Sequence, residues 1–157
     1  MSLQKELIEN DILLSIFSKP HYNRSVFKLL KGLEGKKICY VTLNKTAANL
    51  ESSLRMHRFK TNNLFFIDAV SKSKGLKNKD NAIFVSSPNS LQELSMAIKP
   101  VLACSHFDAL LFDSLSTLKF SQTEEIEKFN REIINQVRAQ GKQGIFTCLE
   151  EDSSLFT

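Results

Sequence analysis

Glycine is scarce. The chain has five in 157 residues, and none lies between its first apolar run, residues 12–17, and the amphipathic segment that follows. A loop that must turn several backbone amides inward needs residues without a Cβ, so a glycine-rich anion cradle is excluded there. Cysteine is equally sparse: Cys39, Cys104 and Cys148 are odd in number, sit in apolar surroundings and lack metal-ligand spacing. That excludes a disulfide framework and predicts buried, reduced thiols in a cytoplasmic protein. No apolar run approaches the roughly 20 residues that cross a bilayer. The first residues, MSLQKELIEND, lack the basic-then-apolar order of a secretory signal. Repeats, low-complexity tracts and linkers are missing too, so the expectation is one domain, residues 1–157.

What is present is ordinary for a globular chain: 42% hydrophobic and 24% charged residues. The net charge is +4, and part of the excess is clustered. Lys72, Lys74, Lys77 and Lys79 fall within SKSKGLKNKD, a solvated connector or a weak contact for nucleic-acid phosphates. No aromatic residue is interleaved there for base stacking.

Apolar patterning alternates between strands and helices. Residues 3–9 predict a short helical lead-in, and residues 12–17 a strand covered on both faces. A helix over 24–33 follows, with Gly32 or Gly35 ending it. Strands are expected at 37–43, 63–70, 82–85, 109–113 and 144–149. Helices are expected from Thr46 to about Arg58, from Ser87-Pro88 onward, and behind Ser121 to Gly141. Ser90 with Glu93 and Ser121 with Glu124 have capping-box spacing. Leu91, Leu94, Met96, Ile98, Val101 and Leu102 predict a helix covered on more than one side. Glu150, Glu151 and Asp152 read as a solvated acidic tail or, joined with Asp113, as a metal cluster. The fold class is therefore α/β, a three-layer sandwich with a mostly parallel central sheet.

Strand, tight loop, helix is the setting of a phosphate-binding loop, G-x-x-x-x-G-K-[ST]. At its positions stand Ser18, Asn23, Arg24 and Ser25, and only the serine is unchanged. Pro20 removes an N–H donor, His21 and Tyr22 add bulk, and Arg24 keeps the charge with a different geometry. Asp113, closing ALLFDS, fits the acidic residue of a Walker-B strand, or an aspartate that only bonds its own loop. His21, His57 and His106 lie on separate segments without a nucleophile motif. Of these only His21 is placed at the expected cleft.

Together the pieces resemble the RecA superfamily, in particular KaiC-like archaeal domains and their relatives that lack a phosphate loop. The resemblance rests on KKICYVTLNKTAANLESSL, NLFFIDAVS, SSPNSLQEL, FDALLFDSLSTL and GIFTCLEEDSS, in that order. It implies a P-loop NTPase topology. KaiC-like ATPases carry paired glutamates after the second strand, where this chain has Asn44 and Lys45. Glycines, lysine and catalytic base are all replaced, so hydrolysis is not carried over. Expected instead is a pseudo-ATPase without catalytic residues, metal or cofactor, serving protein association or regulation. The alternative is a binder of ATP with Mg, or of GTP, that uses Arg24, Ser25 and Asp113. A third reading is weak nucleic-acid binding through the lysine loop. In RecA-like sheets a later strand flanks the phosphate-loop strand, and this sequence stops at Thr157, so residues 12–17 are expected to be an edge strand, a site for a homo-oligomer or protein partner.

Overall fold

The computed structural model describes residues 11–77, 80–104 and 106–157. The expected lead-in helix at 3–9 and Lys79 lie outside them. Six strands form one sheet: β1 Ile12–Phe17, β2 Ile38–Thr42, β3 Leu64–Asp68, β4 Ala82–Phe84, β5 Ala109–Asp113 and β6 Gln143–Leu149. Their spatial order is β1-β6-β5-β2-β3-β4, and every pairing is parallel. Among the described residues four α-helices connect them: α1 Tyr22–Gly32, α2 Ala47–Met56, α3 Leu91–Ala103 and α4 Thr123–Ala139.

The central strands β2 and β5 are buried at every residue, as continuous apolar runs in a parallel sheet must be. Alternation along each strand divides the core in two. Cys39, Val41, Leu110, Phe112 and Phe146 face α3 and α4, where Phe112 packs on Phe129 and Phe146 at 5.8 and 5.7 Å. Ile38, Tyr40, Leu111 and Ile145 face the opposite layer with Leu30 and Leu33 from α1 and its end. The expected three-layer sandwich is the observed one, with a sheet wholly rather than mostly parallel.

Local signals succeed where their partners are local. The Thr46 hydroxyl caps α2 by accepting from the Asn49 amide at 3.1 Å. On α4, Ile126, Phe129, Ile133 and Val137 are buried, and Gly141 beyond it takes φ 64°. Tertiary context overrides several others. Ser90 makes no side-chain cap; Glu93 instead accepts from the Ser86 amide and hydroxyl, both at 3.1 Å. Gln122, not Ser121, is the N-cap of α4 and makes no side-chain cap bond. Met96 is 68% exposed, so α3 is covered on one side only. Helix α1 begins at Tyr22, two residues earlier than its apolar stripe suggests, while α3 begins at Leu91, beyond the Ser87-Pro88 start. Cys39 and Cys148 are buried, but Cys104 is half-exposed. The acidic run is solvated in part: Glu150–Leu155 is a 3-10 helix on which Glu150 and Glu151 are exposed, whereas Asp152 is buried 3.5 Å from the Lys119 ammonium.

Candidate functional site

Parallel sheets present ligand sites beyond the carboxyl ends of their strands. The cleft there has a volume of about 390 Å³ and is lined by residues that follow β1 (Lys19, Tyr22, Asn23) and β2 (Asn44, Lys45), by Asp113 at the end of β5 with Ser114, Ser116, Thr117, Lys119 and Phe120 after it, and by Leu149 at the end of β6.

Its entrance segment is a 3-10 turn: after extended Ser18, residues Lys19–His21 form it with Pro20 in its first positions. The His21 amide donates to Ser18 O at 3.2 Å, and the Tyr22 amide donates to Lys19 O. Pro20 has no amide, so three consecutive positions offer nothing to an anion.

The centre of the cleft is occupied by side chains. Strand alternation puts Tyr40, Asp113 and Thr147 on the face that receives α1, and Tyr22 is the first residue of that helix. The Tyr22 hydroxyl donates to Asp113 Oδ1, and the Tyr40 hydroxyl donates to Asp113 Oδ2 at 2.6 Å. Thr147 Oγ1 lies 2.5 Å from the Tyr22 oxygen and 3.3 Å from Asp113 Oδ1. Both carboxylate oxygens are thus committed to tyrosines. Burial, reinforced by the Asp113 charge, pushes both phenols far above their ordinary value, which keeps them protonated donors. Phe17 meets Tyr22 edge-on at 5.7 Å and closes the far side of its ring.

Around this plug the loops are tied together. The Lys45 ammonium donates to Asn23 Oδ1 at 2.6 Å, and the Thr117 hydroxyl donates to Asn44 Oδ1. Ser116 Oγ accepts from the Leu149 amide at 2.8 Å, and the Asp113–Ser114 peptide is cis.

Of the residues marked from sequence, Asn23 and Asp113 line the cleft, whereas Ser18, Arg24 and Ser25 do not. Arg24 is exposed on the first turn of α1, and His21 is exposed beside it. Lys72 and Lys74 lie on a 3-10 turn after β3, and exposed Lys77 follows. The predicted joining of Glu150, Glu151 and Asp152 with Asp113 does not occur, and no metal-holding group of three acidic, histidine or cysteine residues forms among the described residues. Sequence reasoning missed Tyr40, Thr147 and Lys119, took Tyr22 as bulk rather than donor, and took Lys45 only as the replacement of a catalytic base. The available signal was parity: Tyr40, in the middle of β2, and Asp113, at the end of β5, lie on the same face of the sheet.

No protein-family model matches the chain, and no curated protein matches it. Among solved structures it is similar to a KaiC-like protein from the hyperthermophilic archaeon Pyrococcus horikoshii OT3, at TM-score 0.63 and 17% identity over 88% of this chain. The chain spans 62% of that protein's length. Among the described residues no helix is long and apolar enough to cross a membrane. Strand order, all-parallel pairing and this likeness agree: the chain has the RecA/KaiC-like fold.

Proposed function

We propose that the chain is a pseudo-ATPase, a RecA/KaiC-like domain that performs no hydrolysis and serves protein association or regulation. The observation that carries this reading is the commitment of Asp113. The carboxylate that would position magnesium accepts from Tyr22 and Tyr40 instead. Phosphoryl transfer also needs a water-activating base and a cradle of amides, and Asn44, Lys45 and the 3-10 turn at Lys19–His21 supply neither. The test is phosphate release from Mg·ATP and Mg·GTP together with thermal melts in millimolar nucleotide. The expected results are release at the blank rate and an unmoved melting temperature. A ligand at a hundredfold excess over Kd adds about 2.7 kcal/mol of stability, so a shift of that size overturns the reading.

One observation favours a second reading. Lys19, Lys45 and Lys119 line the cleft, and a cleft lined by charge of one sign attracts the opposite one. A nucleotide phosphate would then be held by these lysines, not by Arg24 and Ser25. In that case the melt shifts with nucleotide, Lys45→Ala abolishes the shift, and Arg24→Ala leaves it intact.

A further inference from the structure

The two ends of the sheet are built differently. Strand β4 is three residues long, and very short edge strands are one protection against edge-to-edge pairing. Strand β1 is six residues, ILLSIF, without charge, proline or bulge against its neighbour. Among the described residues it carries none of the usual guards.

Its hydrogen-bonding groups divide by parity. The Gly144 amide donates to Asp11 O at 2.8 Å, and the pairing with β6 then continues in register to Phe17 opposite Leu149. In a parallel ladder, residues of one parity bond one neighbour. Asp11, Leu13, Ser15 and Phe17 therefore face β6, and the N–H and C=O groups of Ile12, Leu14 and Ile16 face the open side. Strand β1 has no second neighbour in the described sheet. The side chains of Ile12 and Leu14 pack on the α3/α4 face, whereas Ile16 is 44% exposed. Leu155, in a segment packed against β1, is 63% exposed.

Charge identifies the occupant. Asp11 precedes the strand, Lys19 follows it, both are exposed, and residues 12–18 carry no charge. An antiparallel copy of the same strand brings each Asp11 toward the other copy's Lys19, the complementary arrangement. We propose that β1 pairs antiparallel with β1 of a second copy about a two-fold axis at Leu14, joining two six-stranded sheets edge to edge. Two-fold symmetry requires paired residue numbers to have an even sum. With the axis at Leu14, Ile12 pairs with Ile16 of the second copy and every open group of β1 is used. The exposed Ile16 then packs on Ile12 of the other chain, and Asp11 lies diagonal to Lys19. This names the partner for the association role proposed above and rests on that role.

The test is sedimentation velocity on the full chain up to tens of micromolar, with residue-resolved amide exchange over the same range. The expected result is a dimer in which the amides of Ile12, Leu14 and Ile16 gain protection with concentration, while those of Leu13 and Ser15 do not change. Ile16→Lys, at an exposed position, retains the monomer's circular dichroism and weakens the dimer by about tenfold or more. Asp11→Lys weakens it, and Lys19→Asp added to Asp11→Lys restores it. A monomer throughout the range overturns the proposal, as does a dimer whose exchange at these three amides is independent of concentration. Nucleotide hydrolysis by a dimer would defeat the pseudo-ATPase reading alone, and an inert monomer would defeat the pairing alone.

Discussion

The Tyr22 hydroxyl donates to Asp113, 91 residues away in sequence, and this bond joins the first turn of α1 to the end of β5. Removing the hydroxyl by Tyr22→Phe leaves Asp113 Oδ1 with the more distant Thr147 hydroxyl at 3.3 Å. A hydrogen bond to a charged group contributes about 1.5–3 kcal/mol. The expected fall in melting temperature is about 3–12 °C, measured by calorimetry. Tyr40→Phe should behave similarly, and the double variant should deviate from additivity because the two phenols share one carboxylate. Strict additivity would show that the two bonds act independently.

Alkali should expose the same pair. Tyrosine ordinarily ionises near 10.0, and both buried phenols are held well above that. Below pH 10 both states keep the proton and the pair adds no pH dependence. Above it the unfolded chain releases protons that the native chain retains, so stability falls as pH rises. Each tyrosine contributes a slope of about 1.4 kcal/mol per pH unit. Urea midpoints from neutral pH upward should therefore decline more steeply above pH 10 in the native sequence than in Tyr22→Phe. Parallel curves would contradict the assignment.

Asp68 offers a stability test remote from the cleft. It is fully buried, and its carboxylate accepts from the amides of Ala47, Val70 and Ser71 at 2.8, 2.8 and 2.9 Å and from the Ser71 hydroxyl at 2.5 Å. One of these donors is the first residue of α2, whose amide end favours an anion. Asp68→Ala strands several buried donors and should destabilise by about 3 kcal/mol or more. Thr46→Ala, which removes only the α2 cap, should destabilise by about 1 kcal/mol. Denaturant titration that ranks the two in the opposite order would refute this account.

Gly144 sets how closely β1 and α4 approach β6. A methyl group there would lie 3.1 Å from Ile12 Cδ1, 3.3 Å from Phe146 and 3.4 Å from Val137. Gly144→Ala should therefore destabilise by about 1 kcal/mol, within the usual range for overpacking. Ile12→Val in the same chain should recover part of the loss, as judged from paired thermal melts.

Most of the fold was legible because its signals are short-range. The buried stripe of α4, the Thr46 cap and the apolar run that opens β5 each depend on residues within a few positions of one another. The cleft was legible only by subtraction. Missing glycines and Pro20 excluded a cradle, but nothing local tells that Tyr22, Tyr40, Asp113 and Thr147 meet. Their encounter depends on β6 lying between β1 and β5 and on strand parity, which combine only in three dimensions. The buried Asp152 escaped notice for the same reason: its neighbours in sequence are acidic, but its partner is Lys119. Glu93 likewise finds Ser86 in place of the amide that its spacing suggested.

A fastener that belongs to the chain is present whenever the chain is folded. Because a phenol on α1 grips Asp113, the ends of β5 and α1 are tied together by a part that neither diffuses away nor has to be replenished. On the proposed reading, its rigidity would be the same in a starved cell as in a well-fed one.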